Sequence, residues 1–288
     1  MPIAPQTSNG PSVTAHSIGA LPEEGGLSPR GISLGIACGL AIFMIAAFVA
    51  TLRQQGWEFP LIRGINSLAG HSALLDRLAQ SLTVDQSLQG GAFVALLWFL
   101  WFATDATDKR AWLLSGLAAA ACAGFLSRLL QLALPTHPRP LHTLALGFVM
   151  PAGVEPATLN HFNSFPSDHG AVFFTLAFVI WRLRPWLGFG AFVWAIIVDM
   201  ARVYEGYHYP SDILGSIGLS LIAVTVFRNV TAHHLACRVV DLEKLQRPWF
   251  YLMEFIISYQ VATLFDDIRQ IGRGFAFVVL HHDPFPGS

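Results

Sequence analysis

The sequence predicts an all-α integral membrane protein: a bundle of six membrane-crossing helices with amphipathic helices lying in the interface. Two observations carry this. Of 288 residues, 53% are hydrophobic and only 12% charged, with a mean hydropathy of +0.52, outside the range of soluble domains. The apolar residues are also gathered into long runs separated by short polar turns, as a bilayer requires of helices that satisfy their own backbone.

Residues 1–31 are rich in Pro, Gly and Ser, carry no apolar periodicity and read as a disordered tail. The run Ile32 to Leu52 has no charge until Arg53 and is long enough to cross a hydrocarbon core that takes about 20 residues at 1.5 Å each. It exceeds a signal-peptide core and is expected to stay as an anchor. Leu61, Ile65 and Leu68, then Leu74, Leu75, Leu78 and Leu82, recur at helical spacing among polar residues and predict helices in the interface plane. Gln89 to Ala103 and Ala111 to Leu134, joined through "TDATDKR", predict a helical hairpin, and His169 to Leu183, Leu187 to Tyr204 and Ile213 to Phe227 complete the six. Residues 32–229 form the core domain in this reading, and 230–288 a C-terminal extension. Within that extension, Pro248 to Phe265 is apolar except for Glu254 and reads as an amphipathic helix on the membrane or on a partner chain, a route to a homo-oligomer. A seventh span is the alternative.

Basic residues orient the bundle. Lys109 and Arg110, Arg182 and Arg184, and Arg228, Arg238, Lys244 and Arg247 mark one face as cytoplasmic, together with the N-terminus. The third and fifth connections hold only Arg139 and Arg202 and face the other side, the periplasm if the membrane is a bacterial inner membrane.

Several classes are set aside. With 17 basic and 18 acidic residues there is no electrostatic footprint for nucleic acid. Cys38, Cys122 and Cys237 are scattered and suggest neither a disulfide framework nor a metal pair. His137, His142 and His161 share one connection at spacings that fit no compact ligand motif, so no metal and no cofactor are expected.

Three polar clusters remain, all in the two outer connections: "THPRP", "FPSDH" and "ARVYEGYHYPSD". Their contents suit phosphoryl transfer. Arg139 and Arg202 can grip phosphate oxygens in forked, charge-assisted hydrogen bonds, with Ser167 and the N–H groups of the following helix as further donors. Ser167 is also an ordinary N-cap, and the two roles are compatible. Of His208 and His169, one can attack phosphorus while the other protonates the leaving oxygen, and Asp212 is spaced to accept from the His208 ring. Asp199 and Glu205 flank Arg202 and are expected to orient it.

These clusters resemble the signature of the type 2 phosphatidic acid phosphatase superfamily, which shares its site with vanadium haloperoxidases. Arg139-Pro140 matches the end of its first motif, Pro166-Ser167-Asp168-His169 its second, and Arg202, His208 and Asp212 its third. The resemblance implies a six-helix fold of that type and a metal-independent phosphatase acting on a lipid phosphate in the membrane. His208 would form a phosphohistidine oriented by Asp212, His169 would serve as acid and then base, and Arg139, Arg202 and Ser167 would hold the phosphoryl oxygens.

The chain departs from the signature at three places. Leu132 stands where the first motif has Lys, with Arg128 one turn earlier and His137 as substitutes for its charge. Ala201 stands where Ser is usual, and Asp168 replaces a Gly. Asp168 puts a negative charge beside a phosphate site, and its role stays open. The Phe-Pro-Ser-Asp-His form is similar to bacterial undecaprenyl-diphosphate phosphatases, which makes undecaprenyl diphosphate, beside phosphatidic acid, phosphatidylglycerol phosphate or a lipid A phosphate, a substrate to test. The alternatives are a phosphotransferase using the same phosphohistidine and a lipid-binding protein that has lost catalysis.

Overall fold

The computed structural model describes residues 27–271, apart from 53–55, 136, 158 and 160–162. Most of the expected N-terminal tail, His161 and the last part of the C-terminal extension lie outside the described residues. The first helix begins earlier than the apolar pattern indicates. α1 spans Pro29–Thr51 because Ser28 caps it, its hydroxyl accepting from the Gly31 N–H at 3.2 Å, and Pro29 suits the first turn.

α2 (Glu58–Asn66) and α3 (Ala73–Val84) form the expected amphipathic pair. Leu61, Leu68, Leu74 and Leu78 point outward, while Phe59, Ile62 and Ala79 are buried. Polar side chains fasten the pair to the rest of the chain. Glu58 is fully buried and accepts from both the N–H (2.8 Å) and the hydroxyl (3.1 Å) of Ser211. Asn66 exchanges two hydrogen bonds with the Val149 backbone, at 2.6 and 2.8 Å, and Asp76 accepts from the Tyr204 hydroxyl and from the Ala152 N–H at 3.3 Å. The pair thus roofs the loops that carry the polar clusters.

The remaining helices are α4 (Ala92–Phe102), α5 (Thr107–Ala133), α6 (Asp168–Leu183), α7 (Pro185–Tyr204), α8 (Pro210–Val226), α9 (Val230–Leu245) and α10 (Arg247–Ala262). All six helices expected of the core domain therefore form. α1, α5 and α7 are each long and apolar enough to cross a membrane alone. α6 and α8, with 16 and 17 residues, cover only about 24–26 Å. Their shortfall has a structural cause: both begin below the ends of their neighbours, at the polar clusters. α6 is buried on nearly all sides, with Phe173, Leu176, Ala177, Val179 and Ile180 at most 1% exposed, so it forms the axis of the core.

α1 and α8 run antiparallel, tied at one end by Leu27 N–H to the Arg228 carbonyl at 2.9 Å. At Gly39 and Gly218 their backbones touch: a Cβ on Gly39 would lie 2.8 Å from the Gly218 oxygen, and one on Gly218 would lie 2.7 Å from the Gly39 oxygen.

The C-terminal extension packs on the same chain. α10 runs along α4 in the opposite direction, with Phe250 stacked on Trp101 (5.5 Å between ring centroids) and Ser258 accepting from the Trp98 indole at 3.3 Å. Near its end the Ala262 backbone lies against Gly90. Its other face, including Leu252, Met253, Phe255 and Ile256, is exposed.

Candidate active site

The second polar cluster is held by backbone carbonyls. The Pro166 carbonyl accepts from the Ser127 hydroxyl at 3.1 Å and from the Gln131 amide at 2.7 Å, both on α5. Ser167 N–H donates to the Asp212 carbonyl at 3.3 Å, and the Ser216 hydroxyl donates to the Ser167 carbonyl at 2.6 Å. The Ser167 hydroxyl caps α6 by accepting from Gly170 N–H at 3.1 Å, and it donates to Asp199 of α7 at 3.3 Å. Ser127 and Asp199 each lie more than a turn before their helix ends, so this cluster sits about 7–9 Å inside the bundle.

His208 lies between α7 and α8, fully buried. Its Nδ1 lies 3.0 Å from the Ser164 carbonyl and 3.4 Å from Asp212 Oδ2, so this nitrogen carries the proton and Nε2 keeps the lone pair. The expected His208–Asp212 pairing is therefore shared with a backbone carbonyl. Asp212 Oδ2 also accepts from Tyr209 N–H at 2.8 Å, so the carboxylate satisfies the backbone donor at the N-cap of α8. Burial, and after it the charges of Arg139 and Arg202, push the His208 pKa down to about 4 against the pull of Asp212, so the ring is neutral at pH 7.

Arg139 is 2% exposed. It donates from Nη1 to the Tyr207 carbonyl at 2.7 Å and from Nη2 to the Asn163 carbonyl at 3.1 Å, while Nη1 approaches His208 Nε2 at 3.5 Å. Burial lowers its pKa to about 10, which leaves it charged at neutral pH. Arg202 is 6% exposed, and its guanidinium stands 5.5 Å from the centre of the Tyr207 ring. The Nε atoms of both arginines are buried without a hydrogen-bond partner, a state that costs about 1–3 kcal/mol each and that an incoming anion oxygen would relieve. Contrary to expectation, neither Asp199 nor Glu205 forms an ion pair with Arg202. Asp199 bonds Ser167 instead, and the second oxygen of each carboxylate is buried without a partner.

Asp168 faces two ways. Its Oδ1 lies 2.9 Å from His169 Nδ1 and accepts from the His169 N–H at 3.0 Å, and its Oδ2 lies 3.8 Å from Arg128. Arg128 also donates to Gln131 Oε1 at 2.8 Å. With Gly170 N–H bonded to Ser167, the N–H groups of residues 169 and 170 are occupied from within α6, and the charge of the site rests on the arginines. Leu132 is 59% exposed and turned out of the bundle, whereas Gln131 beside it is 3% exposed and turned in. His137 contributes through its backbone: its N–H donates to Asn163 Oδ1 at 2.9 Å, and its carbonyl accepts from Ser164 N–H at 3.1 Å.

The structure thus brings Arg139, Ser167, Asp168, His169, Arg202, His208 and Asp212 into one linked group, with Arg128 at its edge. Sequence reasoning missed Gln131, Asn163, Ser164 and Tyr207. Three of these act through backbone carbonyls, which leave no mark on residue type. Gln131 was visible only as the neighbour of the motif position.

The family model of the PAP2 superfamily matches residues 134–234. The YbjG protein of Escherichia coli (strain K12) is 47% identical over 62 residues, 21% of this chain and 31% of that protein's length. Undecaprenyl-diphosphatase BcrC of Bacillus subtilis (strain 168) is 24% identical over 172 residues, 59% of this chain and 82% of that protein. Among solved structures, the transmembrane PAP2-type phosphatidylglycerolphosphate phosphatase from Bacillus subtilis gives a TM-score of 0.47 at 20% identity, over 66% of this chain and 93% of that one.

Proposed function

We propose that this chain, whose residues 134–234 match the model of the PAP2 superfamily, is a multi-pass membrane phosphatase that hydrolyses a lipid phosphate or diphosphate, with undecaprenyl diphosphate as the substrate to test first. The observation that carries this reading is His208: its ring is fixed through Nδ1 at 3.0 Å from the Ser164 carbonyl, and its Nε2 lone pair points at the Arg139 guanidinium 3.5 Å away. A neutral, oriented imidazole beside two buried cations with unfilled donors suits attack on a phosphate held by those cations.

In this mechanism His208 Nε2 attacks the terminal phosphorus and the bond to the bridging oxygen breaks. His169 starts the cycle as the imidazolium, its Nδ1–H held by Asp168; it gives its Nε2 proton to that oxygen and becomes neutral, and the lipid leaves one phosphate shorter. A water molecule then attacks the phosphohistidine while His169 takes its proton, the P–N bond breaks, and inorganic phosphate departs from neutral His208. Arg139 and Arg202 hold the non-bridging oxygens throughout. The cluster is sunk inside the bundle, which suits a headgroup reached from within the membrane. The distribution of basic loops supports a site on the face opposite the cytoplasm, which is the periplasmic side in a bacterial inner membrane. Any homo-oligomer formed through α10 uses its exposed face, since the other is buried on α4.

Phosphate release from undecaprenyl diphosphate and phosphatidic acid, by protein purified in chelator, tests this reading. His208→Ala is expected to lower turnover by about 10³-fold or more. Equal rates in wild type and variant, or a strict metal requirement, would overturn it, and a new phosphoester formed with an added alcohol would mark a transferase.

A further inference from the structure

A second group of chemically capable side chains lies at the opposite end of α5. Asp108 stands in its first turn, and His233 and Cys237, one turn apart, share a face of α9. His233 Nε2 lies 3.2 Å from Asp108 Oδ1 and 3.6 Å from Cys237 Sγ, and all three donor atoms fall within 4.8 Å of one another. The His233 side chain is 11% exposed, while that of Asp108 is 76% exposed.

The two separations from His233 match a known coordination geometry. Around a tetrahedral zinc ion, with nitrogen and oxygen at about 2.0–2.1 Å and thiolate sulfur at about 2.3 Å, a nitrogen and an oxygen ligand stand about 3.4 Å apart, and a nitrogen and a sulfur about 3.6 Å. The donor set also fits: imidazole, thiolate and carboxylate together favour a borderline, tetrahedral cation over the all-oxygen shells of magnesium or calcium. Two ligands one turn apart on a helix, completed by a third from a remote element, is a common way to build such a site on helices. Asp241, a further turn along α9, adds negative charge to the same face.

We propose that Asp108, His233 and Cys237 bind one zinc-class divalent cation, clamping α9 to the start of α5 and leaving the fourth position to water on the exposed side of Asp108. The site lies about 30 Å along α5 from the residues around Arg128, so it is a structural clamp separate from phosphoryl transfer. The chain-remote partner explains why residue spacing gave no hint: Asp108 and His233 are 125 positions apart.

Cobalt(II) is the probe, titrated into the full-length protein without a histidine tag and with its thiols kept reduced. One cobalt per chain is expected, with a sulfur-to-cobalt charge-transfer band that is lost in Cys237→Ser, persists in His234→Ala and is displaced by zinc. Zinc affinity should fall at least about 10-fold in Cys237→Ser and in Asp108→Asn, and zinc should raise the unfolding temperature of wild type but not of Cys237→Ser. Absence of the band, a band unchanged by Cys237→Ser, or loss on His234→Ala alone would overturn the assignment. None of these readouts depends on phosphatase activity.

Discussion

Asp168 Oδ1 lies 2.9 Å from His169 Nδ1, so the acidic residue of the second motif is committed to the ring of its neighbour. The carboxylate that looks misplaced beside a phosphate site is also partly neutralised by Arg128 at 3.8 Å. Asp168→Gly removes the acceptor and frees the ring, and a loosely held acid group is expected to lower kcat by roughly 10–100-fold. Asp168→Asn keeps an acceptor oxygen and should lose less. A steady-state comparison of the two variants checks the order, and equal rates would show that the ring needs no such partner.

Leu132 occupies the motif position of a lysine but is 59% exposed on the outside of the bundle. An ammonium placed there faces away from the site, so Leu132→Lys is expected to leave kcat within about twofold of wild type. Gln131→Ala strips a buried hydrogen bond from the Pro166 carbonyl and should cost about 1–3 kcal/mol of stability, read as a fall in unfolding temperature.

The burial of His208 ties stability to pH. Its pKa of about 4 in the folded protein lies below the ordinary value of about 6.5, so the neutral ring supports the fold fully above pH 6.5 and that support is lost as pH falls toward 4. Over this window the unfolding temperature of wild type should fall more steeply than that of His208→Gln, whose side chain does not titrate. Parallel curves would show that the ring is not held neutral.

The contact between Gly39 and Gly218 leaves no room for a side chain. Gly39→Val drives a methyl group against a backbone oxygen and should destabilise the protein by about 1–3 kcal/mol, whereas Gly64→Ala, where a Cβ meets nothing within 4 Å, should be silent. Thermal unfolding of the two variants separates a packing contact from a general effect of losing glycine.

The six core helices were legible because apolar runs bounded by charge report transfer into lipid, which depends only on composition along the chain. Their lengths were less so, since Ser28 capping and the sunken starts of α6 and α8 depend on hydrogen bonds and neighbours. The grouping of Arg202, His208 and Asp212 was legible from its likeness to the superfamily signature, while position alone placed Asp212 at a helix start beside His208. The partners of Arg139 and His208 are largely backbone carbonyls of Asn163, Ser164 and Tyr207, which any residue supplies. The place of α10 along α4 depends on which face of an amphipathic helix finds protein, and periodicity alone does not distinguish protein from lipid.

The antiparallel seam of α1 and α8 joins the first membrane helix to the sixth of the core set. During synthesis at about 5–20 residues per second, α1 waits roughly 10–35 seconds in the bilayer before α8 has been made. In that interval the helix start carrying Asp212 does not yet exist. The contact between Gly39 and Gly218 can therefore form only after the other helices of the core set have been made, and the two faces that meet there must stay complementary although they are synthesised far apart in time.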